Sequence, residues 1–479
     1  MKVVCYMKHA LISIYEKMPY GLQNVASSAA GLRKRIIERN RQFFAFRESL
    51  LESQHLPTVR LQELQAHKLR QLVAHAYKNV PYYAQLFKER GLAPEDISST
   101  ADLQKLPLLD KSTVTNRMRE FLARNTDRSK LIWNHTSGTT GRPFGLFVDR
   151  RVEDMWNALL FRHRSWGGYQ YDRLRITFGG RVIVPFETKR PPFWRYNLPG
   201  RQVHFSSFHL SEENLPHYVK RLRTLGAEVM DGYPSAIHIL ARYMAQHGLQ
   251  VPLKAVFVAS EPLYDYQRAA MEAAFTCEVF NIYGLAERCA SSGECEKHEG
   301  NHHHMEESIV EILDSEGNSV PDGQCGEIVG TSLVNYTMPL LRFRTGDLCA
   351  YQTKPCSCGR GLRLMTPVDT KKEDVILTPD GRYISPSVLT HPLKPLHGIE
   401  KTQIVQEDRC HFVVKLVQGD GRVSKHDLGE LVNALQSLLG KEAKIEVDFV
   451  DDIPRTAAGK FRFVISKVPQ DHVSSSIVK

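Results

Sequence analysis

Between residues 135 and 145 the chain reads His-Thr-Ser-Gly-Thr-Thr-Gly-Arg-Pro-Phe-Gly. His135 and the hydroxyls of Thr136, Ser137, Thr139 and Thr140 alternate with Gly138 and Gly141. Glycine lets the backbone turn back and approach a ligand closely, and the inward N–H and O–H donors of such a loop suit an anion. Nucleotide phosphates are the natural occupant. The Gly-Lys-Ser/Thr ending of a Walker A loop is missing, so this is a different kind of phosphate loop. Taken alone, the stretch fits an ordinary Ser/Gly surface loop equally well.

A second group of reactive side chains lies further on. Nine cysteines (5, 277, 289, 295, 325, 349, 356, 358, 410) cluster mainly between 277 and 358. An odd number in a cytoplasmic chain argues against a disulfide framework. Cys295 stands seven residues before His302, and Cys356-Ser357-Cys358 follow later. Three thiolates and one imidazole form a tetrahedral structural zinc set. The run His302-His303-His304 leaves the imidazole ligand open, with His298 as another candidate. Reduced cysteines packed as small apolar residues are the alternative.

The elements that must carry these groups follow from hydrophobic spacing. Leu61, Leu64, Leu69, Leu72, Val73 and Ala76 recur at helical period, and Pro81 ends that helix. From Leu174 onward the pattern turns to short strands at Leu174–Phe178, Glu228–Met230, Ala255–Ala259 and Glu278–Ile282. Helices over Ser235–Gln246 and Tyr264–Phe275 separate the last three, which implies a parallel sheet with right-handed crossovers. These strands run into the turns Asp231–Ser235, Ser260-Glu261-Pro262 and Tyr283-Gly284-Leu285-Ala286-Glu287. In an open α/β sheet ligands bind beyond the carboxyl ends of the strands, so three binding turns fall on one edge. Beyond residue 308 an antiparallel pattern begins, with strands at Ile309–Leu313 and Glu327–Leu333. A hinge near Asp369–Asp374 precedes strands near Lys401–Val405, His411–Leu416 and Lys444–Phe449 and a helix near Lys425–Leu439. The expected fold is α/β. A large N-terminal domain, 1–369, holds parallel-containing sheets, helices and an antiparallel subdomain, and a small mobile α+β domain spans 370–479.

Three further blocks follow the 135–145 loop in order: Asn281-Ile282-Tyr283-Gly284-Leu285-Ala286-Glu287, Arg342-Phe343-Arg344-Thr345-Gly346-Asp347-Leu348 and Pro454-Arg455-Thr456-Ala457-Ala458-Gly459-Lys460. In this order they resemble the adenylate-forming enzymes, which include acyl-coenzyme A synthetases, luciferases and peptide-synthetase adenylation domains. Ala76-Tyr77-Lys78-Asn79-Val80-Pro81-Tyr82-Tyr83, Leu106-Pro107-Leu108-Leu109-Asp110-Lys111 and Pro355-Cys356-Ser357-Cys358-Gly359-Arg360 narrow the resemblance to the phenylacetate–coenzyme A ligase-like group. Leu377–Arg382 and Gln403–Glu407 are similar to the branch associated with capsular polysaccharide biosynthesis.

The resemblance implies attack of a carboxylate on the α-phosphate of ATP, giving an acyl-adenylate and pyrophosphate, then acyl transfer. Anion meets anion in the first step, so the site must neutralise charge building at the α-phosphate. On the resemblance, Thr136, Ser137, Gly138, Thr139, Thr140 and Gly141 hold the terminal phosphates. Glu287 ligates magnesium, a hard cation that prefers carboxylate oxygen. Tyr283 and Gly284 lie by the adenine, with Ser260, Glu261 and Pro262 along its edge. Asp347 takes the ribose hydroxyls, and Lys460 reaches the α-phosphate and carboxylate. Lys460, Glu287 and Thr136 are the catalytic candidates. A related Cys/His pattern in the family gives Cys295, His302, Cys356 and Cys358 a structural zinc. The family's Gly-Arg-x-Asp-Asp hinge is replaced here by Asp369-Thr370-Lys371-Lys372-Glu373-Asp374. Lys371 then stands in for the hinge arginine as a point charge without its planar fork. The acid pocket is expected near Phe178–Arg181 and Tyr233–Ile237.

Composition narrows the alternatives. The 479 residues exceed one ordinary core, and 42% hydrophobic content suits globular packing. No apolar run approaches the roughly 20 residues that span a bilayer, and Ala10–Tyr15 is too short for a signal-peptide core. A cytoplasmic location is expected. The net charge of +10 is concentrated in Arg33–Arg41, followed by Phe43, Phe44 and Phe46. Such a segment suits either the solvated face of a helix or peripheral contact with an anionic membrane. No nucleic-acid motif accompanies it. The leading expectation is an AMP-forming ligase joining a small carboxylic acid to the thiol of coenzyme A or a carrier protein. Amide formation on an amine or amino sugar is one alternative, and a non-catalytic membrane-associated assembly factor is another.

Overall fold

A computed structural model describes residues 14–135, 144–368, 375–384, 386–393, 396, 398–419, 423–453 and 462–468. Three long helices come first: α1 (Tyr20–Glu38), α2 (Arg41–Ser53) and α3 (Thr58–Asn79). Asn40 starts α2 by accepting the Phe43 N–H at 3.0 Å, an N-cap bond. In α3 the periodic residues Leu61, Leu69, Leu72, Val73 and Ala76 are fully buried, while Leu64 is half-buried. Pro81 begins α4 (Pro81–Arg90), a position where its missing N–H costs nothing.

Strands β1 (Ile132–His135) and β2 (Gly145–Val148) form an antiparallel pair with His135 opposite Gly145. The phosphate-loop candidates from Thr136 to Gly141 fall between them, outside the described residues. Helix α5 (Arg150–Trp166) follows, capped by the Asp149 carboxylate on the Val152 N–H.

The main sheet draws on β3 (Arg175–Gly179), β4 (Trp194–Asn197), β5 (Gln202–Ser206), β6 (Val229–Gly232), β7 (Ala255–Ala259), β8 (Glu278–Gly284), β9 (Ser291–Glu294) and β10 (Asn301–His303). Helices α6 (Leu215–Leu225), α7 (Pro234–Gln246) and α8 (Asp265–Phe275) are its crossovers. A separate antiparallel sheet joins β11 (Ser308–Leu313), β12 (Gly326–Ser332) and β13 (Phe343–Cys349). With β14 (Leu364–Met365) the main sheet has the order β14-β10-β9-β8-β7-β6-β3-β5-β4. Its five inner strands β5, β3, β6, β7 and β8 are parallel, so their carboxyl ends share one edge. Apolar side chains cover both faces, as parallel sheets require. Phe178, Phe205 and Tyr218 pack with Leu240 and Met271 on one side. Val229, Ala255, Phe257 and Phe280 meet Tyr169 and Phe161 on the other.

The strands expected near 174, 228, 255 and 278 lie within a residue or two of these positions. β8 runs on to Gly284, past the expected end at Ile282, because Tyr283 and Gly284 pair with Ser292 and Ser291 of β9.

The C-terminal part holds β15 (Ile376–Leu377), β16 (Tyr383–Ile384), β17 (Ile399–Gln406), β18 (His411–Gln418), α9 (Lys425–Leu439), β19 (Lys444–Phe449) and β20 (Val464–Ser466). The last four strands form one sheet in the order β19-β18-β17-β20. Ser424 and Asp427 make a reciprocal capping box at the start of α9. Leu431, Leu435, Leu438 and Leu439 are buried in a cluster with Phe412, Val414 and Leu416. This is the expected α+β unit. The β15–β16 hairpin also touches the large part, where the Arg382 guanidinium donates to the Phe208 carbonyl at 3.1 Å. Among the described residues no helix is long and apolar enough to cross a membrane.

Candidate active site

The turn after β8 is held from three directions. The Tyr283 hydroxyl donates to Asp347 Oδ2 at 2.8 Å, joining β8 to β13. Burial, then the Asp347 carboxylate, pushes the Tyr283 phenol well above its ordinary range, so it stays a donor. Gly284 lies against α5, where a Cβ would come within 2.3 Å of the Trp156 ring. Asn134, next to the phosphate-loop candidates, donates from Nδ2 to the Ala286 carbonyl at 2.9 Å. The end of β1, just before the phosphate-binding candidates, is thereby pinned to the Tyr-Gly-Leu-Ala-Glu turn.

Glu287 ends that turn and is only 2% exposed. Its Oε1 lies 3.5 Å from Lys111 Nζ. Its Oε2 is buried with no hydrogen-bond partner among the described residues. An ionised carboxylate with a bare buried oxygen is costly unless a cation or donor completes it. Lys111 is a residue whose role sequence reasoning missed. Leu109 bonds to both neighbours of Phe343, its N–H to the Arg342 carbonyl and its carbonyl to the Arg344 N–H, each at 2.9 Å. Asp110 then caps the short helix Lys111–Asn116 through the Thr113 N–H at 2.7 Å. A chain segment far away in sequence thus delivers a cation to Glu287. The signal was present in Leu-Asp-Lys, an N-cap followed by a charged first turn.

The block 342–348 divides its labour. Arg342 has φ +57°, is buried, and pairs with Glu311 at 3.0 Å while donating to the Leu106 carbonyl at 2.8 Å. It holds the frame, while Asp347 meets the Tyr283 hydroxyl. On β7 the turn residue Ser260 has φ +72°, and Glu261 Oε2 accepts the Ser235 N–H at 3.1 Å beside the start of α7. Register places Val258 opposite Gly232 and Ala259 opposite Ile282. Ser260, Glu261 and Pro262 therefore lie on the same edge as Tyr283 and Gly284.

The expected acid pocket is corrected in part. Phe178 and Ile237 are buried in the core between the sheet and its crossover helices, because alternation along β3 turns Ile176 and Phe178 inward. Gly180 and Tyr233 do meet at that edge, where a Cβ on Gly180 would lie 2.6 Å from the Tyr233 hydroxyl. Thr136 to Gly141, Lys371 and Lys460 lie outside the described residues.

The Cys/His cluster is a second centre. Cys295, His302, Cys356 and Cys358 come from β9–β10 and the loop before β14, and their ligand atoms all lie within 4.8 Å of one another. Cys295 Sγ is 3.6 Å from Cys356 Sγ, and Cys358 Sγ is 3.4 Å from His302 Nε2. A tetrahedral ion with bonds of about 2.0–2.3 Å sets its ligand atoms roughly 3.5–3.8 Å apart, close to the spacing of these two pairs. Burial holds the His302 imidazole down to about 4, in the neutral form a metal needs. The neighbouring imidazoles are engaged elsewhere. His303 meets Tyr351 and Ser308, His304 meets Ser291, and His298 lies 3.4 Å from Glu294. Backbone N–H groups of Lys297 and Arg360 approach Cys295 and Cys358 sulfur at 3.4 and 3.5 Å. Arg360 pairs with Glu296 at 2.9 Å and lies over Trp166, whose Nε1 donates to Gln54 at 2.8 Å. Gly361 presses on the α2–α3 turn, where a Cβ would be 1.8 Å from the Leu56 carbonyl oxygen. The cysteine loop is thus clamped to the N-terminal helices.

Comparison with known proteins agrees with this architecture. The family model "CapK C-terminal domain" matches residues 376–467. Protein CapK of Staphylococcus aureus is 26% identical over 464 residues, covering 95% of this chain and 99% of that protein. Phenylacetate-coenzyme A ligase of Aromatoleum evansii is 27% identical over 439 residues, covering 86% and 95%. Among solved structures, 2-hydroxyisobutyryl-CoA ligase in complex with 2-HIB-AMP and CoA aligns with a TM-score of 0.57. It is 20% identical and covers 87% of this chain and 92% of its own. Along nearly its whole length the chain is similar to CapK and to the phenylacetate-coenzyme A ligases, and it shares the fold of 2-hydroxyisobutyryl-CoA ligase.

Proposed function

We propose that this protein activates a small carboxylic acid with ATP, releases pyrophosphate, and passes the acyl group from the adenylate to a thiol. The observation that carries this reading is Glu287, whose buried oxygen has no partner among the described residues, at the carboxyl end of β8 and beside the end of β1. Relatives named as CoA ligases support it. Asp347 and Tyr283 would hold the nucleoside, and Lys111 would balance Glu287 until the nucleotide arrives. Magnesium held through Glu287 would offset phosphate charge. The oxygens of the acid would attack the α-phosphate, with the pyrophosphate leaving toward the 136–141 loop. ATP is available in the cytoplasm, where the reading places the protein. Purified protein with ATP should form AMP and pyrophosphate only when a suitable acid from an aromatic, aliphatic, amino or sugar series is added. ADP as the nucleotide product would sink the reading.

A second reading keeps the same activation step and passes the acyl group to an amine or amino sugar. Mass spectrometry of products formed with coenzyme A and with amino sugars separates thioester from amide.

The Cys/His cluster would hold a structural zinc through Cys295, His302, Cys356 and Cys358. Closing loops distant in sequence makes metal-binding energy part of folding energy. Cys358→Ser should therefore lower zinc content from about one ion per chain and drop the melting temperature by about 5–10 °C, since each kcal/mol moves a domain by roughly 2–4 °C. Elemental analysis finding no zinc in protein prepared without chelator would refute the assignment.

A further inference from the structure

Helix α1 is built the wrong way round for a helix on a sheet. Its inner face is polar. Gln23 Oε1 accepts from Arg195 at 2.7 Å, Asn24 Oδ1 accepts the Tyr196 N–H at 2.9 Å, and Ser28 Oγ donates to the Tyr196 carbonyl at 3.1 Å. Gly31 fits against Asn197, where a Cβ would lie 1.8 Å from Oδ1. Asn24 and Ser28 serve the open backbone of β4, the edge strand of the main sheet, which would otherwise be a row of unpaired groups, while Gln23 holds the Arg195 side chain. Arg35 and Arg39 finish the attachment on Asp172 at 2.7 and 2.8 Å.

The outer face is apolar. Leu22, Val25, Leu32 and Ile36 are 55%, 64%, 48% and 68% exposed, and with Ala29 they repeat at the spacing of one helical stripe. A soluble helix ordinarily buries such a stripe. Leu198, 69% exposed on the β4–β5 turn, extends it, and Val25, Leu32, Leu198 and Pro199 line one open groove. The next groove shares Leu198 and Pro199 and is lined by Arg35, Arg201 and Arg221, with no carboxylate among its described lining residues. On α1 itself Arg33 and Lys34 are exposed, and Glu38, the helix's single acid, lies 3.6 Å from Lys34. An aliphatic stripe beside Arg33, Arg201 and Arg221, which have no carboxylate partner among the described residues, is complementary to an anionic bilayer surface. The apolar residues enter the acyl boundary while the cations meet headgroup phosphates. No described helix can cross a membrane, so α1 would lie in the interface plane.

We propose that the outer face of α1, with the β4–β5 turn, docks this protein on anionic phospholipid membranes. The inference is independent of the ligase reading. The test is cosedimentation of the full chain with vesicles of phosphatidylglycerol or of phosphatidylcholine alone. Binding should favour phosphatidylglycerol at least tenfold and weaken as salt screens the charges. Val25→Asp with Leu32→Asp should reduce it tenfold or more, and so should Leu22→Asp with Ile36→Asp, so that one pair serves if the other fails to fold. Arg33→Glu with Arg201→Glu should erase the preference for phosphatidylglycerol. The proposal is overturned if the unaltered protein ignores phosphatidylglycerol, or if a folded Asp pair binds as well as it does. It is equally overturned if light scattering shows a dimer that the Asp pairs split into monomers, since a second copy then occupies the face.

Discussion

Glu287→Gln should cut acid-dependent pyrophosphate release by about a hundredfold or more, with the loss growing as magnesium is lowered. Glutamine keeps the size and one carbonyl oxygen but removes the charge. The native carboxylate is 2% exposed, with one oxygen 3.5 Å from Lys111 and the other unpartnered among the described residues. A charge placed this way is held against its desolvation cost, which marks a functional group more than a stabilising one. Stability points the same way. Replacing Glu287 removes a buried charge with an unfilled oxygen, so the variant should melt no lower than the parent by more than a few degrees. The two measurements together separate a site role from a framework role. A well-folded variant with parental turnover at every magnesium level would remove Glu287 from the mechanism. Collapse of stability alongside activity would make it a framework residue.

Much of this site is written in local sequence, and the reason is geometric. Ala255–Ala259 is an unbroken apolar run, so it reads as a buried strand and is one. The turns after such strands must fall on one edge once the crossovers are right-handed, which brings Ser260, Tyr283 and Gly284 together. Cys295, His302, Cys356 and Cys358 were readable because few other combinations of soft ligands occur in the chain. What escaped notice depends on distant partners. β9 and β10 read Ser-Ser-Gly-Glu and Asn-His-His, with no apolar period to announce a strand. They form because Ser291 and Ser292 extend β8 while His302 pairs with Leu364. Lys111 reaches Glu287 only through the pairing of Leu109 with Phe343. In α1 the run of basic residues was conspicuous, yet its placement was not. Arg35 and Arg39 are spent on Asp172, and the exposed stripe is aliphatic. Periodicity shows that a helix has two faces, and only the tertiary fold says which one is turned outward.

Lys460→Ala should lower adenylate formation by about a hundred- to a thousandfold while leaving use of a pre-made acyl-adenylate largely intact. Lys460 closes the block Pro454-Arg455-Thr456-Ala457-Ala458-Gly459-Lys460, between β19 and β20 of the C-terminal sheet. When the carboxylate attacks, negative charge gathers on the α-phosphate and between two anions. An ammonium aimed at that point is bound more tightly to the transition state than to either reactant, so its loss falls on the rate of that step. Acyl transfer makes a different demand. The adenylate already exists, the leaving group is AMP, and the family resemblance has the C-terminal unit turned so that the lysine is withdrawn. A synthetic acyl-adenylate therefore bypasses the defect. The comparison needs an acid found in the pyrophosphate screen, single-turnover measurement of each half-reaction, and circular dichroism to show that the variant is folded. Equal losses in both halves would mean that Lys460 serves the active site at large, and that the two steps share one arrangement of the C-terminal unit instead of two.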